Sequence, residues 1–232
     1  MVLPLVLINC ASKQHISLEF LSPVPDAEAI GIYHEVQKGE TLMSICRLYR
    51  ADLQEVAELN DITELSHIQI GQKIFVPDVT GLMPDEGEGT IVPAPVPEEP
   101  RHIDTWQGEF IWPVEGALTS PFGVRKGKRH DGIDIAAPLG TEIRAAADGT
   151  VLFAGNHHDG YGNLVIIKHK NNLVTVYAHT QRYFVKEDDE VRQGQVIAKV
   201  GRSGRANGPH VHFEIRDGVR PRNPMFFLKR SD

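Results

Sequence analysis

The chain has 232 residues, of which 41% are hydrophobic and 24% charged, and its formal net charge is −7. This balance is ordinary for a globular protein and excludes wholesale disorder, a collagen-like repeat and a disulfide-dense scaffold. No apolar run approaches the roughly 20 residues that a membrane-spanning helix needs. The acidic net charge offers no broad basic surface, so we expect no nucleic-acid partner.

The first ten residues, 1–10, form a short apolar run that closes on Asn9 and Cys10. The run is too short to cross a bilayer but fits the hydrophobic region of a signal peptide. An apolar run ending at a cysteine resembles a bacterial lipoprotein signal, which implies export to the cell envelope or periplasm and membrane contact only through a lipid on Cys10. The alternative is a loosely packed N-terminus without a targeting role. Residues 11–32 lack sustained periodicity, as expected of a tether.

Residues 33–77 contain the pattern strand, helix, helix, strand. The two strands are predicted at 33–36 and 73–76, with Pro77 ending the second. Thr41 is a suitable N-cap for a first helix, and Asp52 stands near the start of a second one. The predicted core-facing positions of the two helices are Leu42, Ile45, Cys46, Tyr49, Leu53, Val56 and Ala57.

This segment resembles a LysM module, the small βααβ glycan-binding unit of cell-wall proteins. The residues that carry the resemblance are Tyr33-His34-Glu35-Val36, Gly39-Glu40-Thr41-Leu42, Ile45, Tyr49, Leu59-Asn60, Ile70-Gly71-Gln72-Lys73-Ile74 and Pro77. The resemblance implies that residues 33–77 bind glycan containing N-acetylglucosamine, and hence peptidoglycan. The alternative is a small α+β domain without a ligand.

Residues 78–105 are predicted to be a linker, because they contain five prolines and seven acidic residues against one arginine. Proline favours extended backbone, and like charges repel one another. We therefore expect a semi-rigid spacer that lets the domains on either side reach different points of an extended polymer.

Residues 106–232 are predicted to form an all-β domain, since short β-rich runs alternate with glycines and no long amphipathic helix is evident. Many short strands with glycine turns indicate a sandwich or a partly open barrel. The predicted strands are 110–112, 150–153, 164–168, 173–179, 196–200 and 211–215.

Seven of the eleven histidines lie between His130 and His212. Because side chains alternate faces along a strand, His210, His212 and Glu214 should share one face, with Val211, Phe213 and Ile215 on the other. By the same rule Thr175, Tyr177 and His179 should share a face of their strand.

A third element runs from His130 to Asp134. In a fully extended chain their Cα atoms would lie roughly 13 Å apart, too far for both side chains to reach one metal ion easily. We expect Gly132 to permit a bend between them. Three nitrogen and oxygen ligands plus a water molecule are the pattern of a catalytic zinc site, and further histidines beside such a site can move protons.

Residues 110–228 closely resemble the LytM-type, lysostaphin-like zinc endopeptidases of peptidoglycan. The landmarks are Ser120-Pro121-Phe122-Gly123, His130-Asp131-Gly132-Ile133-Asp134, Asp148-Gly149-Thr150-Val151, Gly160-Tyr161-Gly162-Asn163, Tyr177-Ala178-His179 and Gly208-Pro209-His210-Val211-His212-Phe213-Glu214. The fold that this implies is an all-β, duplicated hybrid motif-like peptidase domain beside the small α+β module. The resemblance further implies that His130, Asp134 and His212 bind Zn²⁺, and that His179 and His210 are the catalytic pair.

The expected function is therefore zinc-dependent cleavage of stem or cross-bridge peptides, with glycan bound by residues 33–77 and peptide in the catalytic cleft. The same domain pair also occurs in lipoproteins that activate a cell-wall amidase without catalysis, after loss of metal ligands or catalytic histidines. All five chemical positions are present here, which favours the enzyme. One departure from the family is Asp188, which replaces a turn glycine but tolerates the left-handed conformation better than most residues.

Overall fold

The computed structural model describes residues 30–64, 67–77 and 109–229. The predicted lipid site at Cys10, residues 11–29 of the tether and the whole predicted linker 78–105 lie outside the described residues. Among the helices of the described part, none is long and apolar enough to cross a membrane.

The N-terminal unit is a two-stranded antiparallel sheet with two helices between its strands, as the sequence predicts. Its elements are β1 Gly31–Glu35, α1 Leu42–Tyr49, α2 Leu53–Leu59 and β2 Lys73–Pro77.

Both helices of this unit begin at the residues that the sequence indicates. The hydroxyl of Thr41 accepts a hydrogen bond from the Ser44 amide at 3.1 Å, and the Ser44 hydroxyl accepts one from the Thr41 amide at 2.9 Å, which makes a capping box. The carboxylate of Asp52 accepts from the Glu55 amide at 2.8 Å. The predicted core thiol, Cys46, is buried and forms no disulfide within the described residues, and burial followed by the charge of Asp52 raises its pKa to about 12.

The C-terminal unit is built almost entirely of short antiparallel strands. Its strands are β3 Ala117–Ser120, β4 Gly123–Arg125, β5 Lys128–His130, β6 Ile133–Ala136, β7 Glu142–Arg144, β8 Gly149–His157, β9 Gly162–Lys168, β10 Leu173–Ala178, β11 Arg182–Tyr183, β12 Glu190–Val191, β13 Val196–Lys199, β14 His210–Asp217 and β15 Arg220–Arg222. The main sheet has the order β12-β8-β9-β10-β14-β6-β3, with β15 paired to β14. Strands β11, β13 and β7 form a second sheet, and β4 and β5 form a hairpin.

Five of the six predicted strands are present in this unit. The exception is 110–112, where Phe110 makes only an isolated bridge to Leu228. Five strands between 117 and 144 were not predicted, because strands of three or four residues are too short to display a clear alternation of apolar and polar positions. Asp188 has a φ angle of 69°, so it adopts the left-handed conformation at the turn where a glycine was expected.

Strand β14 turns one face to the larger core and carries polar and charged side chains on the other. Val211, Phe213 and Ile215 are fully buried in the larger core, as predicted. The opposite face of β14 holds His210, His212 and Glu214. Beside them lies a second, smaller core made of Tyr161, Leu164, Ile166, Val174, Val176 and Ala178. This polar face of β14 therefore lies inside the main sheet, between β10 and β6.

The two units touch each other directly. Glu58 of α2 is 3% exposed and accepts a hydrogen bond from Arg222 Nε at 2.7 Å. Buried apolar residues of both units also belong to one continuous core. Acidic residues on α2 pair with arginines of the β domain and hold the described units together.

Candidate metal centre and cleft

Three side chains converge where β5 meets the β6–β14 pair of the main sheet. His130 ends β5, whereas Asp134 lies on β6 directly opposite His212 in the antiparallel pair of β6 with β14. His130 Nε2 lies 3.2 Å from Asp134 Oδ1 and 3.1 Å from His212 Nδ1. His212 Nδ1 lies 2.9 Å from Asp134 Oδ1. Cross-strand pairing thus brings the predicted ligand residues together.

Gly132 lies in the bend between β5 and β6, where the sequence predicts it, but the reason differs from the expected backbone freedom. A Cβ atom at this position would lie 2.4 Å from the carbonyl oxygen of Phe213 and 3.0 Å from the His212 ring. The bend therefore needs glycine because the backbone passes directly against β14.

Replacing Gly132 with alanine should push the bend away from β14 and separate His130 from Asp134. We expect the Gly132→Ala protein to lose about 1–3 kcal/mol of stability, the usual range for overpacking, and to bind zinc more weakly. Thermal unfolding with and without zinc measures both effects. Gly208→Ala is the matched control, since an added Cβ there meets no atom within 4 Å. Equal zinc binding by wild type and Gly132→Ala would contradict this account of the bend.

The three atoms that face the centre are spaced as the ligands of a tetrahedrally coordinated ion would be. Ligand atoms held about 2.0–2.1 Å from zinc at tetrahedral angles lie about 3.3 Å from one another, close to the observed 2.9–3.2 Å. His130 Nδ1 donates to the Pro121 carbonyl at 2.7 Å, so its Nε2 faces the centre with a lone pair. His212 Nε2 lies 2.9 Å from Glu214 Oε1, which likewise leaves Nδ1 toward the centre.

The electrostatics at this point favour positive charge. Burial on its own would lower the pKa of His212, but hydrogen bonds with Asp134 and Glu214 and their charges raise it to about 10. A cation placed among these groups would meet the same two carboxylates. The donor set and its surroundings therefore suit a divalent ion such as zinc.

A second layer of buried polar residues holds His212. Glu214 accepts from the Tyr161 hydroxyl at 2.7 Å and from Arg216 Nε at 2.6 Å. Burial would raise the pKa of Glu214, but the charge of Arg216 and the hydrogen bond with His212 lower it to about 2. Glu214 therefore stays ionised, and such outer partners fix the orientation of a ligand histidine.

Glu214 lies on the face that strand alternation predicts, but its contact with His212 and those of Tyr161 and Arg216 with Glu214 were not predicted from the sequence. A signal was present in β14, where positions 210, 212, 214 and 216 are all polar or charged on a strand whose opposite face is apolar. Four such side chains in a row on a buried strand indicate a network, because each needs a partner.

His179 and His210 lie side by side, with ring centroids 4.8 Å apart. His179 Nδ1 donates to the Ser203 carbonyl at 2.9 Å, and His210 Nδ1 donates to the Gly208 carbonyl at 2.9 Å. Each ring therefore keeps Nε2 available as an acceptor. Burial, followed by the charges of His212 and His210, lowers the pKa of His179 to about 4.

The orientation of His179 differs from the alternation that the sequence suggests. Strand β10 ends at Ala178, which lies opposite His212 and shares its face. Regular alternation would turn His179 away from the centre. Its left-handed φ angle of 61° instead breaks the alternation, and its ring centroid lies 6.0 Å from that of His212.

The three converging residues and the two neighbouring histidines line one cleft of about 430 Å³. Two arginines, Arg125 and Arg205, also line it, and Asp134 is the only acidic residue among the lining side chains of the described chain. The structure therefore gathers all five predicted site residues in one cleft with a basic rim.

Comparison with known proteins gives two family matches. Peptidase family M23 matches residues 128–224, and the LysM domain matches residues 34–77. The lipoprotein NlpD/LppB homolog of Pseudomonas aeruginosa is 32% identical over 228 residues, which cover 84% of this chain and 76% of that protein.

Two further relatives align over less of their own length. Cell division protein DipM of Caulobacter vibrioides is 40% identical over 154 residues, 63% of this chain and 25% of that protein. Murein hydrolase activator NlpD of Escherichia coli is 44% identical over 126 residues, 54% of this chain and 32% of that protein. The chain thus spans about a quarter to a third of these two relatives.

Proposed function

The chain belongs to peptidase family M23 and also carries a LysM domain, and we propose that it is a zinc-dependent endopeptidase acting on the peptides of peptidoglycan. The observation that carries this proposal is the convergence of His130, Asp134 and His212 within 3.2 Å of one another, beside two further imidazoles in the same cleft. A purely structural cluster would have no need for the second pair.

In the proposed mechanism, His130, Asp134 and His212 hold the metal. Zinc held there would supply a Lewis acid for the scissile carbonyl and would lower the pKa of a water molecule toward about 7. His179 donates its Nδ1 proton to the Ser203 carbonyl, which leaves its Nε2 free to accept a proton. His210 stands beside it and can share this role or stabilise the charge that develops on the substrate oxygen.

The basic rim suits an anionic peptide. Arg125 and Arg205 line the cleft with one acidic residue, Asp134, which the metal would neutralise. The Arg205 side chain lies against Gly160, where an added Cβ would come within 3.1 Å of its Cδ. Stem peptides of peptidoglycan carry carboxylates, so we propose that these arginines bind them on either side of the reacting centre.

Replacing Arg205 with glutamine should raise KM for a carboxylate-bearing stem peptide by about 10-fold, because a hydrogen bond to a charged group contributes ~1.5–3 kcal/mol. The value of kcat should change less, since Arg205 touches no reacting atom. Steady-state kinetics on a defined muropeptide measures both constants. Arg202→Gln is the control, as Arg202 is exposed and does not line the cleft. An unchanged KM would contradict the assignment of Arg205.

The presence of a LysM domain supports the proposal that the protein acts on the cell wall. We propose that residues 33–77 bind the glycan of peptidoglycan and raise the local concentration of the cleft on its substrate. The Pseudomonas relative is named a lipoprotein. That name supports export to the cell envelope, with a lipid on Cys10 as part of the same proposal.

A second candidate function is activation of a cell-wall amidase without catalysis. It is favoured by the 44% identity to a protein named as a murein hydrolase activator. The two candidates differ in their need for the cleft, because an activator works by binding its amidase and an enzyme works through the metal and the imidazoles.

The deciding experiment incubates the purified full chain and zinc with defined muropeptides and identifies the products by mass. The proposed enzyme releases new peptide ends, stops when a chelator is added and resumes with zinc. Release of stem peptides only after an amidase is supplied, with or without the chelator, would instead establish the activator.

A further inference from the structure

Helix α2 of the LysM domain faces the peptidase domain with three acidic residues. Asp52 Oδ1 accepts from Arg220 Nη2 at 2.8 Å, and Glu55 Oε2 lies 3.6 Å from the same atom. Glu58 accepts from Arg222 Nε at 2.7 Å. Every one of these acids is thus paired with an arginine of the other domain.

Glu58 is the buried centre of this contact. Besides Arg222, it accepts a hydrogen bond from the Asn223 amide at 3.0 Å, and the Asn223 side chain donates to the Glu58 carbonyl at 3.2 Å. A carboxylate taken out of water is stabilised only where its partners are this well arranged. The contact is therefore specific for one docked position of the LysM domain.

The hairpin of β4 and β5 lies under the same helix. An added Cβ at Gly123 of β4 would stand 2.7 Å from the Leu59 carbonyl oxygen, so the backbones of the two domains meet there. On β5, Arg129 Nη1 lies 3.3 Å from Glu55 Oε1. The next residue is His130, which ends the hairpin in the candidate metal centre.

A chain of alternating charges continues from Arg129 into the centre. Arg129 Nε donates to Asp131 Oδ1 at 2.9 Å, and Asp131 Oδ2 lies 3.6 Å from Arg216 Nη2. Arg216 Nε donates to Glu214, which in turn holds His212 at 2.9 Å. The path therefore leads from Glu55 of the LysM domain to His212.

We propose that docking of the LysM domain and metal binding in the cleft are coupled, with Arg129 as the positioning residue that joins them. The coupling rests on the proposed metal site. Docking holds Arg129 and Asp131, which fix the hairpin end at His130 and, through Arg216 and Glu214, the ring of His212. Coupling between two sites is reciprocal, so metal binding must also strengthen docking.

Hydrogen exchange of the full chain measures docking directly, because the backbone amide of Asn223 donates a hydrogen bond to the Glu58 carboxylate across the interface. Glu58→Ala should speed exchange of this amide, whereas Glu35→Ala should not, since Glu35 lies exposed on β1. Arg220→Glu provides a second disruption that leaves the LysM domain unchanged, with Arg202→Glu as its control. Unchanged exchange in both disrupted proteins would overturn the docking step.

Competition with a chromogenic chelator measures the coupling. We expect Arg129→Gln to weaken zinc binding by about 10-fold, the lower end for loss of an outer partner. Glu58→Ala and Arg220→Glu should each weaken it measurably, and the Glu35 and Arg202 controls should match wild type. In the reverse direction, zinc should slow exchange of the Asn223 amide in wild type.

The outcomes separate this inference from the proposed function. If wild type binds zinc and the undocked proteins bind it equally tightly, the coupling is wrong and the endopeptidase proposal stands. If wild type binds no zinc, both fail. Slower exchange at Asn223 on zinc addition, lost in Arg129→Gln, would support the coupling through the path described.

Discussion

Replacing His212 with alanine is expected to abolish measurable zinc binding and, with it, peptide cleavage. His212 is one of three groups facing the centre, and its loss leaves the carboxylates of Asp134 and Glu214 without the imidazole between them. Loss of an outer partner already costs about 10–100-fold in metal affinity, so loss of a ligand should cost more.

Thermal unfolding provides a readout that does not depend on activity. A ligand at 100 times its Kd stabilises the folded state by about 2.7 kcal/mol, and this zinc-dependent gain should vanish in His212→Ala. The matched control is His169→Ala. His169 is also buried and bonded through both nitrogens, to the Asp148 carbonyl and the Thr175 hydroxyl, but it does not line the cleft.

Should His212→Ala fail to fold, Asp134→Asn keeps the size and shape of another facing group while removing its charge. Asp134 is only partly buried and should tolerate this change. A zinc-dependent stabilisation of the same size in either variant and in wild type would contradict the ligand assignment.

The sequence was sufficient to predict the two families and the local starts of the helices, because these depend on short patterns. The capping box at Thr41 and the alternation along β14 are read from neighbouring residues. Patterns of this kind can be recognised without the tertiary structure, since local geometry alone determines which side chains share a face.

Other features depend on contacts between distant segments and could not be predicted in this way. Gly132 is required because β14 passes against it at Phe213, far along the chain, and His179 faces the cleft only because its backbone turns left-handed. The pairing of Glu58 with Arg222 likewise joins distant segments, and no local sequence pattern indicates that they meet. The composition of the predicted linker carries no information on whether the two domains dock.

The docked LysM domain changes how the two activities would be combined. With independent domains, glycan binding would simply keep the cleft near the wall. With α2 fixed against β15 through Asp52 and Arg220, the proposed glycan-binding unit and the cleft would approach the wall as one body. Only peptides at a fixed position relative to the bound glycan would then reach the metal centre.

The prediction that best separates enzyme from activator concerns the two imidazoles that do not face the metal. His179→Ala and His210→Ala should each lower kcat on a defined muropeptide by about 10²–10⁴-fold, the range attributed to a general acid or base. Both proteins should still bind zinc, because neither ring is among the three groups facing the centre. His158→Ala, at an exposed position outside the cleft lining, is the control and should retain full activity.

Zinc content and unfolding temperature establish first that each variant is folded and loaded, so that a lost rate reports on the chemistry. An activator would give the opposite pattern: no new peptide ends from wild type, and an equal stimulation of added amidase by wild type, His179→Ala and His210→Ala. The enzyme is supported only if cleavage by wild type falls in both variants while zinc is kept. The reason is physical, because moving a proton requires an imidazole within reach of the cleft, whereas binding a partner protein elsewhere on the surface does not.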